Sequence, residues 1–126
     1  MKRLLMFAAL VVGSAHGAPA PDFLTTAEAG RATGEELYTH ICQACHMPAG
    51  QGAIGAGAYP ALAHNAKLAA GVYPVVMVLH GRGGMPPIGH DLTDAQVAAV
   101  VNYVRTHLGN RYTDAITTDQ VKALRP

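Results

Sequence analysis

The chain has 126 residues, of which 50% are hydrophobic and 13% are charged, and its formal net charge at pH 7 is +1. This length suits one domain. Because a domain this small is also rich in Gly and Pro, its hydrophobic core is limited. A charge so close to zero, with no run of Lys or Arg, argues against nucleic acid or an anionic membrane surface as a partner.

The first seventeen residues have the organisation of a secretory signal peptide. Lys2 and Arg3 precede an uncharged apolar run over residues 4–12, and residues 15–17 (Ala-His-Gly) form a small-x-small cleavage site. The run is too short to anchor the chain in a membrane, because a spanning helix takes roughly 20 apolar residues. We therefore expect cleavage after residue 17 and export to the periplasm.

Residues 42–46 read Cys-Gln-Ala-Cys-His, the C-x-x-C-H pattern to which a c-type haem is attached. In this pattern both thiols bond the haem and the histidine can ligate its iron. We therefore predict one covalent haem at Cys42 and Cys45, with His46 as an axial ligand. A disulfide or redox-active dithiol is a weaker alternative, since the chain lacks the βαβ pattern of a thioredoxin-like fold. A zinc site would need two further ligands at matched spacing.

The domain that would surround this haem is expected at residues 33–126. Residues 18–32 show no helical face and are interpreted as a lead or a strap. Residues 33–36 (Thr-Gly-Glu-Glu) match a capping box, so the first helix should begin there and run into the haem motif. Its geometry would then set the positions of both cysteines.

Two further helices are predicted before residue 81, a short one at residues 66–70 and a longer apolar one. Tyr73 and Pro74 begin the longer helix, with the proline at its first position, and Gly81 ends it. Its residues 75–79 are apolar on every side, which indicates burial. Met77 is therefore interpreted as a core residue.

The last long helix is the clearest element. Thr93 is its N-cap, Gln96 completes a capping box, and Gly109 is the expected C-cap. An extension begins at residue 110 and is expected to contain one more helical turn from Thr118. One apolar stripe of the long helix follows helical spacing and consists of Val97, Val100, Val101, Val104 and Leu108.

Residues 47–61 form a Gly-rich loop that ends at Tyr59 and Pro60. A flexible surface loop is one interpretation, but beside a haem motif we favour an ordered loop that wraps the histidine side of the haem. A metal-bound histidine normally donates its other ring N–H to an acceptor. The carbonyl of Pro60 is our candidate acceptor for His46, and Tyr59 is expected beside it at the cofactor.

Met85 is the predicted second axial ligand. It lies in the loop of residues 81–91, where four glycines and two prolines exclude regular structure and can point one side chain in a fixed direction. A thioether favours Fe(II) and raises the reduction potential. Met47 is adjacent to His46 in sequence and cannot reach the opposite face of the haem.

Other side chains remain as alternatives. His64, His80 and His90 are more typical of surface or hydrogen-bonding histidines, and His90 is the strongest reserve ligand because it lies in the Met85 loop. Arg82 and Tyr73 could approach a haem propionate, and a solvated Arg82 is an equal alternative.

Four segments together resemble a class I cytochrome c: CQACH, the YPAL turn, the GGMPP loop and the NYVR helix. The resemblance covers residues 33–125. It implies an all-α fold around a single haem, with His46 and Met85 as axial ligands and the Pro60 carbonyl on His46. It also implies that the first helix crosses the last long helix through Gly34, Tyr38, Val100 and Tyr103.

The segment after the last long helix is similar to cytochrome subunits and domains that serve periplasmic alcohol and related dehydrogenases. The expected function is therefore one-electron transfer in the periplasm, with a dehydrogenase as electron donor and no catalysis by the chain itself. We expect docking through the haem edge, which the uncharged loop 53–59 and the loop 81–88 would surround. The alternative is a haem enzyme or a gas or redox sensor in which Met85 is labile. Free shuttle and tight subunit both stay open.

Overall fold

A computed structural model describes residues 30–126 of the chain. The predicted signal peptide and most of the predicted lead lie outside the described residues. The α-helices are α1 Gly34–Leu37, α2 Gln43–His46, α3 Val72–His80, α4 Asp94–Thr106 and α5 Thr118–Ala123. A π-helical segment, Tyr38–Cys42, joins α1 to α2, and 3-10 helices cover Ala66–Ala69 and Ile88–Asp91. Two short strands are β1 Ala53–Ile54 and β2 Ala58–Tyr59.

The fold is mostly helical, but the expectation of an all-α fold is not met. Strands β1 and β2 pair antiparallel within the Gly-rich loop, with Ala53 opposite Tyr59 and Ile54 opposite Ala58. The chain turns back at Gly55 and Gly57, whose backbone groups hydrogen-bond at 2.9 Å. Gly55 and Gly57 disfavour a helix here, and the tight turn that they form lets the flanking residues pair as a hairpin.

The expectation that residues 81–91 lack regular structure is also wrong in part. Arg82 and Met85 exchange two backbone hydrogen bonds, of 2.9 and 3.1 Å. Beyond Pro86 and Pro87, the segment Ile88–Asp91 closes a 3-10 helix. The prolines forbid an α-helix here, but a single tight turn needs few backbone donors.

The first helical stretch begins as the sequence predicts. The Thr33 hydroxyl accepts a hydrogen bond from the Glu36 N–H at 3.2 Å, and the Glu36 carboxylate accepts one from the Thr33 N–H at 2.7 Å. These contacts, with the backbone bond first, hold the pKa of Glu36 below its ordinary value. Nothing in the sequence pattern predicts the π-helical segment, whose wider turn rotates the cysteines relative to the residues of α1.

Helix α1 crosses α4 at the place that the family resemblance implies. A Cβ on Gly34 would lie 2.2 Å from the carbonyl oxygen of Ala99 and 2.8 Å from Tyr103 Cβ, so only glycine permits this approach. The rings of Tyr38 and Tyr103 lie 5.7 Å apart and tilted by 42°. Val100 belongs to the same apolar cluster as Tyr38. The crossing fixes the motif against α4.

Helix α3 begins one residue before the predicted Tyr73, at Val72, so Pro74 is its third residue rather than its first. This position is tolerated because the first N–H groups of a helix have no intrahelical partner. Gly81, with φ +65°, ends the helix as predicted.

Helix α4 has the predicted Thr93–Gln96 capping box but ends before the expected stop. Its last residue is Thr106, and Gly109 lies beyond a turn in which Leu108 also has a positive φ. The buried Asn110 donates a side-chain hydrogen bond of 2.8 Å to the Val104 carbonyl, which satisfies an acceptor at the end of the helix. The extension then returns across the fold to α5.

The hydrophobic core consists of two clusters that share α4. One joins α3, α4 and α5 and consists of Val75, Val78, Leu79, Val97, Ala98, Val101, Ile116 and Val121. The other joins the first helical stretch to α4 and consists of Leu37, Tyr38, Leu68, Val100 and Val104. The predicted stripe of α4 therefore serves both clusters, and its fifth member, Leu108, is only half-buried. Within residues 30–126, no helix has the length and hydrophobicity to cross a membrane.

Candidate haem site

A cavity of about 380 Å³ lies between the haem motif, α3, α4 and the Met85 loop. Its wall is largely apolar, and a volume of this size is typical of a ligand site. All seven residues that the sequence analysis places at the cofactor line it: Cys42, Cys45, His46, Tyr59, Pro60, Arg82 and Met85. The chain therefore brings together side chains that are up to 43 positions apart.

His46 is oriented by the loop that follows it. Its Nδ1 lies 2.9 Å from the carbonyl oxygen of Pro60. A carbonyl can only accept, so Nδ1 must carry the proton and donate it. The tautomer with its proton on Nδ1 leaves the lone pair of Nε2 free, and this is the form that binds a metal ion.

The loop between His46 and Pro60 is held by backbone contacts. The N–H of Gly52 donates to the His46 carbonyl at 3.0 Å. Gly52 has φ +66°, and a Cβ there would lie 2.2 Å from the Tyr59 carbonyl oxygen, so a side chain would open the loop. The Tyr38 hydroxyl donates to the Met47 carbonyl at 2.7 Å. These contacts agree with an ordered loop, which was one of the two interpretations of this segment.

The two cysteines form no disulfide with each other, and Cys42 is half-buried whereas Cys45 is exposed. Burial, with a smaller contribution from Cys45, raises the pKa of the Cys42 thiol to about 11. Reactive dithiols depend on a lowered thiol pKa, because the thiolate is the nucleophile. The environment of Cys42 therefore disfavours the redox-dithiol alternative.

Two methionines reach the cavity. Met85 is half-buried and packs against the α3–α4–α5 cluster. Met77, which the sequence analysis interprets as core, also lines the cavity and is only half-buried. That interpretation is wrong because an apolar helix beside a large cavity exposes one of its faces to it. Met77 is thus a second thioether at the site, attached to a rigid helix.

The three reserve histidines do not line the cavity. His90 directs Nδ1 to the Pro87 carbonyl and Nε2 to Asp91. His80 lies 3.0 Å from the Leu124 carbonyl through Nε2. The exposed His64 ring packs against Gly109. In this arrangement none of them is placed to compete with Met85.

Polar groups are few along the cavity wall. Arg82 and Tyr73 were expected there, and Asn65 and Lys67 join them. Sequence reasoning missed this second pair. Asn65 caps the short 3-10 helix by accepting a hydrogen bond from the Lys67 N–H at 3.0 Å. This cap motif indicates a turn in the sequence, but it does not indicate that the turn lies at the cavity. The side chains of Arg82 and Lys67 are cationic and could pair with anionic groups of a cofactor.

Comparison with known proteins extends the observations. Residues 29–104 match the family model described as cytochrome c oxidase, cbb3-type, subunit III. The chain is 32% identical over 108 residues to the fructose dehydrogenase cytochrome subunit of Gluconobacter japonicus. It is 30% identical over 105 residues to the cytochrome c subunit of the quinone alcohol dehydrogenase of Gluconobacter oxydans (strain 621H). Each alignment covers 73% of this chain and 22% of the relative, so the chain spans about a fifth of their length.

Proposed function

Because the chain belongs to the c-type cytochrome family described as cytochrome c oxidase, cbb3-type, subunit III, we propose that it transfers single electrons. The carrier is one haem c, attached covalently at Cys42 and Cys45. The observation that supports this proposal best is the shared cavity, where the motif meets the Met85 thioether and the Pro60 carbonyl orients His46.

The residues at the cavity fit this cofactor. His46 would ligate through Nε2, since Nδ1 is engaged by Pro60, and Met85 would supply the second axial ligand. When bound, haem c supplies reversible one-electron exchange at its iron. Lys67 and Arg82 are the cationic side chains available to its propionates, and Tyr59 and Tyr73 can cover its edges.

Electron transfer is favoured over catalysis by what surrounds the iron position. If His46 and Met85 both hold the haem iron, no coordination position would remain for a substrate. Among the described residues that line the cavity there is no Asp or Glu, so no carboxylate is placed there for general acid–base chemistry. The protein would instead tune the potential through the thioether, the apolar wall and the His46–Pro60 hydrogen bond.

The proposed electron donor is a dehydrogenase. Both relatives are named as cytochrome subunits of dehydrogenases, and the signal-peptide pattern at residues 1–17 supports a periplasmic location. The hairpin of loop 53–59 stands beside the cavity, with Ile54 95% exposed and no charge in the loop. An exposed apolar side chain beside the haem edge suits docking to a protein partner.

Acid–acetone extraction of the purified holoprotein tests the covalent haem. The haem should stay with the protein, and free-thiol titration should find both cysteines blocked. As a matched control, Cys42→Ala with Cys45→Ala should release whatever haem remains bound. Haem that extracts from the wild type, or thiols that titrate freely, would overturn the proposal.

Carbon monoxide separates a carrier from a sensor or enzyme. The reduced protein at neutral pH should resist the gas, because Met85 occupies the position that it would take. Rapid, complete binding by the wild type would identify a labile ligand and favour the sensor or enzyme.

A further inference from the structure

Residues 124–125 pack against the segment that follows Met85. Arg125 donates from Nη1 to the Gly89 carbonyl at 2.8 Å and from Nη2 to the Leu92 carbonyl at 2.7 Å. Its Nε donates to the Asp94 carboxylate at 2.5 Å. One guanidinium thus connects the segment after α5 to the 3-10 helix Ile88–Asp91 and to the start of α4.

These contacts are sheltered from solvent. The side chains of Arg125 and Asp94 are 29% and 22% exposed, so solvent screens the pair less than it screens a surface ion pair. A planar guanidinium meets three separate acceptors in a fixed geometry, which a lysine cannot reproduce. Hydrogen bonds from a charged donor are also the stronger class in proteins.

The Met85 segment, here residues 80–94, combines hydrogen bonds of its own, such as that from the Leu92 N–H to the Gly89 carbonyl at 3.3 Å, with those from Arg125. Its first half closes on itself through the Arg82–Met85 backbone pair, but Pro86 and Pro87 have no N–H to continue the pattern. Gly89 packs so closely on α3 that a Cβ there would lie 2.7 Å from Leu79 Cδ2. Arg125 holds the carbonyl of this same glycine.

Leu124 contacts the other end of the Met85 segment, where it follows α3. His80, the last residue of α3, lies 3.0 Å through Nε2 from the Leu124 carbonyl. The Leu124 side chain packs on the cluster that Met85 and Ile88 also join. Both ends of the Met85 segment, at residues 80 and 89–94, are therefore tied to residues 124–125. These residues lie beyond the part of the chain that matches the family model, residues 29–104.

We propose that Arg125 is a positioning residue for Met85, the second axial ligand. It holds the Met85 segment against α3, like a latch, and so keeps the thioether at the haem iron. The proposal rests on the proposed function, with Met85 as axial ligand. Opening of the latch would let the segment move away from the cavity and free one coordination position.

The test compares Arg125→Gln with Lys122→Gln in the haem-loaded full-length protein. Both variants remove one positive charge from the same tail, and Lys122 is exposed on α5. The first measurement is the charge-transfer absorption band that marks a methionine sulfur on ferric haem. The second is the rate at which cyanide binds the ferric iron, which requires that the methionine leave.

Arg125→Gln should weaken the band and speed cyanide binding by about tenfold or more, since one hydrogen bond to a charged donor contributes at least that factor to an equilibrium. Lys122→Gln should stay within about twofold of the wild type, as surface substitutions do. Far-UV circular dichroism would check that both variants are folded.

Arg125→Lys keeps the positive charge but loses the planar set of donors of the guanidinium. It should give a cyanide-binding rate between those of the wild type and Arg125→Gln. It also serves as the test if Arg125→Gln does not fold. Unchanged band and cyanide rate in Arg125→Lys and in a folded Arg125→Gln would overturn the latch, as would an equal effect of Lys122→Gln. A wild type without the band would instead refute Met85 ligation itself, so the two failures are distinguishable.

Discussion

On the motif side of the site, residues 34–60, the hydrogen bonds around the histidine join residues that are close in sequence. On the methionine side, the Met85 segment of residues 80–94, contacts from residues 124–125 hold the chain instead. On the motif side, His46 contacts Pro60 across 14 positions. On the methionine side, Arg125 contacts Gly89 across 36 positions, and His80 contacts Leu124 across 44. The motif side can therefore form its histidine geometry locally, but the methionine side requires the completed fold.

This difference has a consequence for the two proposed ligands. A disturbance at the terminus should loosen Met85 while His46 keeps its hydrogen bond. A ligand with a local support is expected to persist through partial opening, and one with remote supports is expected to dissociate first. Of the two proposed ligands, Met85 is therefore the one that we expect to dissociate more readily.

Replacement of the methionine should give the largest effect. We expect Met85→Ala to open the iron to carbon monoxide and to lower the reduction potential by on the order of 0.1 V, within the range that axial ligands span. Spectroelectrochemistry measures the potential, and Met77→Leu is the matched control because Met77 also lines the cavity. If Met77→Leu opens the iron and Met85→Ala does not, the ligand role belongs to α3.

The crossing of α1 and α4 offers a test of how the motif side is stabilised. Gly34→Ala should lower the free energy of unfolding by about 1–3 kcal/mol, because its Cβ would overlap the Ala99 carbonyl. Helix propensity alone would give the opposite sign, since Ala stabilises a helix over Gly by about 1 kcal/mol. Gly57→Ala is the control, as nothing lies within 4 Å of a Cβ there. Thermal or denaturant unfolding of the holoprotein measures both, and a stabilised Gly34→Ala would contradict the close crossing.

Docking should involve both sides, since the hairpin and the Met85 loop flank the same cavity. Ile54→Lys should slow reduction by the proposed dehydrogenase partner on the order of fivefold, the loss typical of one interface anchor, without changing the haem spectrum. Gly84→Lys tests the methionine side in the same way, because Gly84 is exposed and a Cβ there would have nothing within 4 Å. Thr113→Lys adds the same charge at an exposed position outside the residues that line the cavity. Stopped-flow rates at several salt concentrations check this, and equal slowing by Thr113→Lys would argue for a charge effect.

The smallest effect is expected in the tail that supports the methionine side. Hydrogen bonding from Arg105, whose side chain is fully buried, holds the pKa of Asp114 below its ordinary value. A depressed carboxyl pKa contributes stability above the unfolded value of about 3.9, and this contribution is lost as the pH falls through the lower folded value. Asp114→Asn should therefore show a smaller loss of stability below about pH 4 than the wild type.

Asp119→Asn, an exposed carboxylate on the same tail, is the control for this comparison. Acid unfolding followed by circular dichroism measures the three proteins side by side. The expectation fails if Asp114→Asn and the wild type lose stability in parallel over this range, or if Asp119→Asn behaves like Asp114→Asn.

Much of the fold follows from patterns that are local in the sequence. The capping boxes at Thr33 and Thr93 place two helix starts, and the stripe of α4 predicts its buried face. The hairpin, the π-helical segment and the early end of α4 were not predicted. A Gly-rich loop is compatible with many shapes. The end of α4 involves the Asn110 side chain, which bonds the Val104 carbonyl from beyond the helix, and no periodic pattern predicts such a contact.

The sequence by itself determined the haem motif, the likeness to class I cytochromes and the candidate pair His46 and Met85, because each depends on residue type at short spacing. Only the tertiary structure decided that Met77 and Lys67 face the cavity and that Arg125 grips the Met85 segment. The physical reason is that the path of the folded chain decides which distant residues meet. A side chain that meets a carbonyl 36 positions away leaves no periodic trace in the sequence, since the partner is a backbone group that every residue carries.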